Sequence, residues 1–313
     1  MRPQLTPTNI YGLIGYPVKH SLSPAMHNVA FRSLNINAEY RLFEVPPVRL
    51  KEFLLDPNAK FEDIDGNSIS AGDVLGFNIT IPHKVRTSEI LLGEAGVGLI
   101  KNITVREGHY VFLSGAINTI KRESTKVNYY NTDAPGFMES LKKDLRFNTE
   151  RKNIIIFGCG GAGRAVVAGL TWKDTKIKKI YIYDTSKEAI DSTKEHFDRF
   201  DFVKDKLEYV QEKERISEVI KKCQLLVNAS PVGMKEELGP IIDKRSLHKD
   251  LSVYDVVYNR ETQLIKDTKS LGLPAVNGLG MLLYQGAEAF ELWTKKKAPV
   301  EVMRNALMEA TNK

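Results

Sequence analysis

The stretch Asn153-Ile154-Ile155-Ile156-Phe157-Gly158-Cys159-Gly160-Gly161-Ala162-Gly163 decides the fold of this chain. It begins as an unbroken apolar run, which is typical of a strand buried on both faces of a parallel sheet. Glycines follow at G-x-G-x-x-G spacing and open a predicted helix from about Ala162. Gly158 permits a tight turn, Gly160 permits close approach of a phosphate, and Gly163 permits close packing of helix on strand. The pattern therefore predicts a site for a dinucleotide pyrophosphate at a helix N-terminus.

An acidic residue stands where a dinucleotide fold needs one. Asp184 follows the next predicted strand, 179–183, and lies 21 residues after Gly163. A carboxylate at that position accepts hydrogen bonds from ribose hydroxyls. The alternative is an ordinary Asp that caps the predicted helix 186–197. The candidate residues of the loop itself are Gly158, Cys159, Gly160, Gly161, Ala162 and Gly163.

Length and composition exclude several classes of protein. The chain has 313 residues, of which 42% are hydrophobic and 27% charged, so it resembles a globular protein of two domains. Two cysteines, Cys159 and Cys223, are too few for a disulfide framework or a cysteine-rich zinc site, and we expect a cytoplasmic protein without a metal. No apolar run reaches the roughly 18 residues of a membrane span. The net charge of +6 suits an anionic substrate or cofactor, whereas no nucleic-acid-binding motif is present.

Strand and helix signals alternate along the chain, which predicts an α/β fold with a parallel sheet covered on both faces. In the first half we expect strands at 10–15, 39–45, 76–81 and 117–121, a helix at 24–34, a polar loop at 56–73 and a hairpin at 100–113. In the second half we expect strands at 153–157, 179–183, 224–228 and 252–257, and helices at 133–145, from about 162, and at 186–197, 278–293 and 299–310.

Two hydroxyl side chains precede the first predicted helix, in His20-Ser21-Leu22-Ser23-Pro24. Ser23 is a natural N-cap and Pro24 a natural first helical residue. Ser21 and Ser23 at a helix N-terminus are also placed to bind a carboxylate. A plain helix cap is the alternative.

Polar side chains alternate along the strand that ends at Pro82, in Asn78-Ile79-Thr80-Ile81-Pro82-His83-Lys84. Asn78 and Thr80 share one face of the strand, which makes both candidates for binding a polar substrate. Lys84 follows the strand end and is a candidate general acid or base. A lone Lys at such a place is otherwise a surface charge.

Two later motifs add amides and a carboxylate. They are Ser114-Gly115-Ala116-Ile117-Asn118-Thr119 and Tyr130-Asn131-Thr132-Asp133. Asp133 by itself could merely cap the helix that follows. Together with Lys84 and the two serines, Asn118 and Asp133 form a set of groups that fits a small polyhydroxylated acid beside a nicotinamide.

These motifs, in this order, resemble those of the shikimate dehydrogenase family, including its quinate/shikimate branch. The resemblance runs from Ile10 to about Thr294. Besides the motifs above, it includes Asn228-Ala229-Ser230-Pro231-Val232-Gly233-Met234 and Gly278-Leu279-Gly280-Met281-Leu282-Leu283-Tyr284-Gln285. Each motif is modest, but the ordered set is specific.

The resemblance implies a role for each matching residue. Ser21 and Ser23 would hold the substrate carboxylate, and Lys84 would be the general acid/base. The residues that would contact the substrate ring are Asn78, Thr80, Asn118, Asp133, Tyr258 and Gln285. The glycine loop would bind pyrophosphate, and further cofactor contacts would come from Asn228, Ala229, Ser230, Val256, Gly278 and Met281.

The family fold implies a substrate-binding domain of residues 1–134 plus about 278–313 and a Rossmann domain of about 135–277, with a cleft between them. One departure concerns the cofactor. Many members carry Asn-Arg-Thr after the second Rossmann strand, whose Arg pairs with the 2′-phosphate of NADP, whereas this chain has Asp184-Thr185-Ser186. Because a carboxylate repels that phosphate, we expect NAD to be preferred, with NADP possible; Lys179 and Lys187 are placed to weaken the preference.

The implied reaction is the reversible reduction of 3-dehydroshikimate to shikimate. Lys84 as an ammonium would stabilise and protonate the carbonyl oxygen, and Asp133 would orient the ammonium and bind a ring hydroxyl. A quinate or dual quinate/shikimate dehydrogenase using NAD is the alternative, with Ser23 as the discriminating residue. A ligand-sensing regulator without turnover is a remote alternative, disfavoured by intact Lys84 and Asp133. We expect a monomer or homodimer.

Overall fold

The protein is described from a computed structural model, which places residues 9–93, 109–172, 175–235 and 240–311. The strands are β1 (Asn9–Gly15), β2 (Ala38–Glu44), β3 (Lys60–Glu62), β4 (Ser68–Ser70), β5 (Val74–Ile79), β6 (Thr119–Arg122), β7 (Val127–Tyr130), β8 (Asn153–Phe157), β9 (Lys179–Tyr183), β10 (Leu207–Tyr209), β11 (Leu225–Asn228), β12 (Ser252–Asp255) and β13 (Ala275–Asn277). The α-helices are α1 (Ser23–Ser33), α2 (Leu50–Leu55), α3 (His83–Leu92), α4 (His109–Ser114), α5 (Asp133–Lys143), α6 (Gly161–Thr171), α7 (Lys187–Phe197), α8 (Asp201–Lys204), α9 (Ile216–Ile220), α10 (Gln263–Ser270), α11 (Leu279–Thr294) and α12 (Val300–Thr311). The chain forms two compact units, residues 1–132 with 283–313 and residues 133–282.

The first unit is built on a five-stranded sheet in the order β2-β1-β5-β6-β7. Strand β1 runs parallel to β2 and β5, while β6 runs antiparallel to β5 and β7. Helix α11 packs on this sheet through Trp293, whose ring lies where a side chain at Gly76 would stand. The Trp293 indole N–H also donates to the Ile120 carbonyl at 2.9 Å, so the buried ring has no unmet donor. The strands that carry the candidate substrate residues therefore have a tightly packed support.

The second unit is a six-stranded, all-parallel sheet in the order β10-β9-β8-β11-β12-β13. This is the doubly wound order 3-2-1-4-5-6 of dinucleotide-binding folds. The middle positions of its central strands are apolar and buried, as at Ile155, Leu226 and Val253, which is typical of a parallel sheet covered on both faces. The predicted α/β fold with a Rossmann-type domain is confirmed.

Two sequence-based predictions about loops were wrong. The segment 56–73 was predicted as a loop, but it contains the antiparallel pair β3–β4, closed by Asp63, whose carboxylate accepts the Asp65 and Asn67 backbone N–H groups. The second arm of the hairpin predicted at 100–113 is helix α4 instead; its turn lies outside the described residues. The uninterrupted apolar run 110–113 suits a strand as well as a helix, but the Gly115 N–H bonds to the Val111 carbonyl at helical spacing. Four consecutive apolar residues are too few to separate the two periods.

No helix among the described residues is both long and apolar enough to cross a bilayer.

Candidate active site

The glycine loop between β8 and α6 has the geometry that its spacing predicts. Gly158 has a φ of +108°, and a Cβ there would stand 2.8 Å from the Ala229 carbonyl carbon, so only glycine fits. A Cβ at Gly163 would overlap the Gly158 carbonyl oxygen. A Cβ at Gly160 would meet nothing within 4 Å. The first and third glycines are therefore needed by the fold itself, whereas Gly160 leaves space beside the loop that suits a pyrophosphate.

Asp184 is tied to the glycine loop and is not the cap of α7. One carboxylate oxygen accepts the Cys159 backbone N–H at 2.7 Å, and the other accepts the Ser186 N–H at 2.9 Å. The N-cap of α7 is Ser186, whose hydroxyl accepts the Ala189 N–H. The capping alternative considered for Asp184 is therefore wrong. Its charge lies at the carboxyl end of β9, beside the loop.

The segment after β11 is shaped by the side chain of Asn228. Its amide oxygen accepts the Ser230 backbone N–H and hydroxyl, at 3.1 and 2.6 Å, and its amide nitrogen donates to the Val232 carbonyl and to Asp255. Asn228 is buried and fully engaged, so it holds the turn through Ala229 in place. Cofactor contacts from Asn228, Ala229 and Ser230 stay a prediction.

Asp255 is a buried carboxyl that the sequence analysis did not single out. It is fully buried at the end of β12 and accepts hydrogen bonds from Asn228, from the Val257 N–H and from the Thr262 hydroxyl, at 2.9, 3.1 and 2.5 Å. Burial raises its pKa to about 6, and these three hydrogen bonds hold the pKa below what burial alone would give. Asp255 thereby joins the turn after β11, the start of the loop after β12 and the N-cap of α10. An Asp at a strand end is its only sequence signal.

The remaining candidates of the second unit lie at element ends. Val256 follows β12, and a Cβ at Gly278 would overlap the Val256 carbonyl, so this glycine permits a close backbone approach. Tyr258 is partly buried, and Met281 is buried in α11. Asp133 is buried at the first position of α5.

The two serines at the start of α1, Ser21 and Ser23, are hydrogen-bonded to each other. The Ser21 hydroxyl accepts the Ser23 backbone N–H at 3.2 Å and donates to the Ser23 hydroxyl at 3.1 Å. Helix α1 begins at Ser23, with Leu22 as N-cap, so the prediction of Ser23 as the cap was wrong. The Ser21 hydroxyl instead accepts the backbone N–H of Ser23, the first helical residue. Because the Ser23 hydroxyl does not cap the helix, it remains able to donate a hydrogen bond to an anion.

A chain of buried hydrogen bonds runs through the first unit. The Tyr40 hydroxyl donates to Asn78 at 2.8 Å, and the Asn78 amide donates to Thr119 at 2.9 Å. The Thr119 hydroxyl donates to the Asn118 oxygen at 3.0 Å, and that oxygen also accepts the Thr132 N–H at 2.7 Å. The members of this network are Tyr40, Asn78, Thr119, Asn118, Thr132 and Gln285. The network fixes the orientation of the Asn78 and Asn118 amides. One of its members, Thr132, is the residue before Asp133.

Tyr40, Thr119 and Thr132 were missed as members of this network. The side-chain amide oxygen and nitrogen of Asn78 are occupied by Tyr40 and Thr119, so Asn78 acts first as a support of the sheet. Thr80, at the carboxyl end of the same strand, is partly exposed and bonds through its backbone N–H to Ile14 at 2.9 Å.

Lys84 lies in the first turn of α3 and is partly buried. Its neighbour His83 is buried, and the Nε2–H donates to the Val45 carbonyl at 2.7 Å, which anchors the start of the helix. Burial lowers the pKa of His83 below its ordinary value, and the hydrogen bond to Val45 opposes that shift. A cation in the first helical turn lies at the positive end of the helix dipole, an unfavourable place for it. Such a local conflict is typical of a residue kept for function.

Comparisons with known proteins decide the family. The family model for the shikimate dehydrogenase substrate binding domain matches residues 13–92, and the model for the shikimate 5′-dehydrogenase C-terminal domain matches residues 278–308. A model for the saccharopine dehydrogenase NADP binding domain matches residues 154–238. The shikimate dehydrogenase (NADP⁺) of Methanopyrus kandleri is 38% identical over 96% of this chain and 96% of its own. The chain belongs to the shikimate dehydrogenase family.

Solved structures of the family have the same fold. A crystal structure of shikimate dehydrogenase in complex with NADP⁺ matches with a TM-score of 0.78 and 33% identity over 98% of this chain and 96% of that one. The Listeria monocytogenes shikimate 5-dehydrogenase in complex with shikimate and NAD matches with a TM-score of 0.76 and 29% identity, over 96% of each chain. Members of this family are oxidoreductases acting on an alcohol group of a small molecule. In the described part of the chain, no group of three metal-binding side chains is assembled.

Proposed function

We propose that this chain is a shikimate dehydrogenase, which catalyses the reversible NAD(P)-dependent reduction of 3-dehydroshikimate to shikimate. The observation that carries the proposal is the buried network of hydroxyl and amide groups from Tyr40 to Gln285, in a chain whose other unit carries a complete glycine loop. Such a network holds hydrogen-bonding side chains in fixed directions, as recognition of a polyhydroxylated ring requires. Relatives named shikimate dehydrogenase (NADP⁺) support the same substrate class.

The candidate residues contribute two kinds of chemistry to the proposed reaction. The loop Gly158–Gly163 would hold the dinucleotide, which would supply the hydride when bound. The Ser21 and Ser23 hydroxyls bind the substrate carboxylate, remote from the reacting carbon. Lys84 stabilises the negative charge that develops on the carbonyl oxygen and transfers a proton from Nζ to it. Asp133 binds a ring hydroxyl.

We propose that NAD is preferred over NADP, with Asp184 as the reason. Its carboxylate, held by the Cys159 and Ser186 N–H groups, cannot turn away without losing two hydrogen bonds. A 2′-phosphate beside it would meet like charge at short range, which costs on the order of 1–4 kcal/mol at the dielectric constants of a surface groove. The 2′-hydroxyl of NAD would instead donate a charge-assisted hydrogen bond. Relatives named for NADP⁺ make this the point on which the chain is expected to depart from them.

The decisive experiment is a set of initial rates with shikimate and with quinate, each with NAD and with NADP at low salt. We expect kcat/KM to be highest with shikimate and NAD. Asp184→Asn should shift the NADP/NAD ratio of kcat/KM towards NADP by several-fold, whereas Asp191→Asn, an exposed carboxylate on α7, should leave the ratio unchanged. A wild type that favours NADP, or a ratio unmoved in Asp184→Asn, refutes the cofactor assignment.

The substrate assignment has a separate outcome. If quinate gives the higher kcat/KM with either cofactor, the chain is a quinate dehydrogenase and the role of Ser23 as a discriminator against quinate is wrong. If no substrate is turned over while the dinucleotide still binds, the enzymatic proposal fails as a whole. We also propose that the protein acts in the cytoplasm, since both thiols, Cys159 and Cys223, are free and buried.

A further inference from the structure

A groove lies at the amino ends of the strands of the second unit, on the sheet edge opposite the glycine loop. It has a volume of about 1040 Å³, which is at the upper end of the range for small-molecule sites. Six cationic side chains line it, from three segments that each precede a strand: Arg151, Lys152, Lys178, Lys179, Lys221 and Lys222. Asp250 is the single acidic residue of the lining.

The three segments are held together by hydrogen bonds of the backbone and of two amide side chains. The Lys178 N–H donates to the Lys152 carbonyl at 3.0 Å. The Asn153 N–H donates to the Gln224 side chain at 3.0 Å, and the Asn153 amide donates to the Lys222 carbonyl at 2.8 Å. These hydrogen bonds hold the backbones of the three cationic segments close together at the sheet edge, despite the like charge of their side chains.

In the part of the chain that the structure describes, these cations are not paired with carboxylates. Among the described residues, none of the ion pairs includes Arg151, Lys152, Lys178, Lys221 or Lys222. Elsewhere on the same unit, exposed cations do pair, as Lys204 with Asp201 at 2.5 Å and Lys269 with Glu261 at 2.7 Å. A concave surface with one sign of charge concentrates the positive potential and attracts anions.

The groove also has an aromatic component, which a purely charged surface patch would lack. Phe147 and Tyr181, both partly buried, supply two aromatic side chains to the lining.

We propose that this groove binds a small anion that carries a chain of phosphate groups, independently of the dehydrogenase reaction. Several adjacent cations match the several negative charges of such a chain, whereas a single phosphate would leave most of them unused. The chain can belong to an inorganic polyphosphate or to a nucleoside polyphosphate. A small ligand is favoured over a long polyanion because Asp250 lines the groove, and Lys176, nearby in sequence, is already paired with Glu150 at 3.6 Å.

The test is calorimetric titration of the full chain with inorganic tripolyphosphate and with ATP at low ionic strength, each with and without saturating NADP. We expect saturable binding of one probe molecule per chain that persists when NADP is present and weakens as salt is added. Tighter binding of ATP than of tripolyphosphate would identify a nucleoside polyphosphate, and equal or weaker binding an inorganic one.

A pair of matched double variants locates the site. Lys221→Gln/Lys222→Gln should weaken binding of the probe by roughly tenfold to thirtyfold, because two cations of six are lost. Lys296→Gln/Lys297→Gln removes two exposed lysines of the first unit and should leave the affinity unchanged. Circular dichroism and the dehydrogenase rate, which neither pair of residues serves, verify that both variants are folded.

The inference is overturned if the probe does not bind, if NADP abolishes its binding, or if the two double variants lose the same affinity. It is also overturned if a single-stranded oligoribonucleotide binds more tightly than tripolyphosphate, because the surface would then serve a polymer and not a small ligand.

Discussion

The two units prepare their candidate sites in opposite ways. In the first unit the site is made of side chains, and the orientation of Asn118 is fixed by bonds to Thr119 and Thr132. In the second unit it is made of backbone, with Gly158 in a conformation that only glycine adopts readily and Gly160 open to its surroundings. A side-chain site reads the pattern of hydroxyls on a ring, whereas a backbone site accommodates the repeated, featureless charge of a pyrophosphate.

This contrast predicts different weaknesses in the two sites. In the first unit, loss of one hydrogen-bonding side chain should impair substrate binding or turnover. In the glycine loop, where backbone forms the site, one added carbon atom should impair cofactor binding or folding. The experiments below test these expectations, beginning with the largest effect.

Lys84→Ala should lower kcat by roughly 10²–10⁴-fold, the usual contribution of a positioned acid/base. KM for shikimate should change little, since the proposed anchors of the substrate are the serines. The control is Arg86→Ala in the same helical turn, whose exposed ion pair with Glu89 at 2.7 Å contributes little to stability. Steady-state kinetics with thermal melting of both variants make the measurement. Near-normal kcat in Lys84→Ala would remove this residue from the mechanism.

Ser23→Ala should raise KM for shikimate by roughly tenfold to a hundredfold with a smaller change in kcat, because a hydrogen bond to a charged group contributes about 1.5–3 kcal/mol. Ser21→Ala should do the same and also destabilise α1, since the Ser23 N–H loses its acceptor. Ser33→Ala, at the exposed end of α1, is the control. An unchanged KM in Ser23→Ala would mean that this serine does not bind the carboxylate.

Gly160→Ala and Gly163→Ala should separate binding from folding in the glycine loop. Gly160 has a φ of −72°, which alanine adopts easily, and a Cβ meets nothing nearby, so the fold should be unaffected while the KM of the cofactor rises roughly tenfold. At Gly163 the added carbon overlaps a backbone oxygen, so the protein should lose about 1–3 kcal/mol of stability. Melting curves and cofactor titrations distinguish the two. Equal loss of stability in both variants would contradict the separation.

His27 makes the first unit sensitive to acid. It is fully buried, its ring is stacked on Tyr40 at 4.4 Å between centroids, and neither ring nitrogen has a hydrogen-bond partner among the described residues. Burial lowers its pKa to about 3. The unfolded chain binds a proton near pH 6.5 and the folded chain does not, so stability present above pH 6.5 is lost as pH falls towards 3.

His27→Phe should remove this dependence while keeping the stacked ring. Between about pH 6 and 4, the free energy of unfolding of the wild type should fall by about 1.4 kcal/mol per pH unit more steeply than that of the variant. His20→Gln, at an exposed position, should leave the slope unchanged. Parallel slopes for wild type and His27→Phe would show that another group carries the acid sensitivity.

Several elements followed directly from short patterns in the sequence. The run of residues 153–157 is β8, the glycine loop opens α6, and the family motifs identified the family that the relatives confirm. Strands β3, β4, β7, β10 and β13 were missed, because each has only three or four residues and at least one of them is polar. Such short strands are stabilised by their neighbours in the sheet, and their own residues carry little periodic signal.

The glycine loop could be predicted from the sequence alone, because strand, turn and helix lie within eleven consecutive residues and obey local rules of φ and hydrophobic period. The sequence also shows which polar residue types are present in the other unit. Which of their atoms form hydrogen bonds depends on the tertiary fold. Tyr40 meets Asn78 across 38 residues, and Thr132 meets Gln285 across 153. A hydrogen bond acts over about 3 Å in space and leaves no mark in the spacing of residues so far apart along the chain.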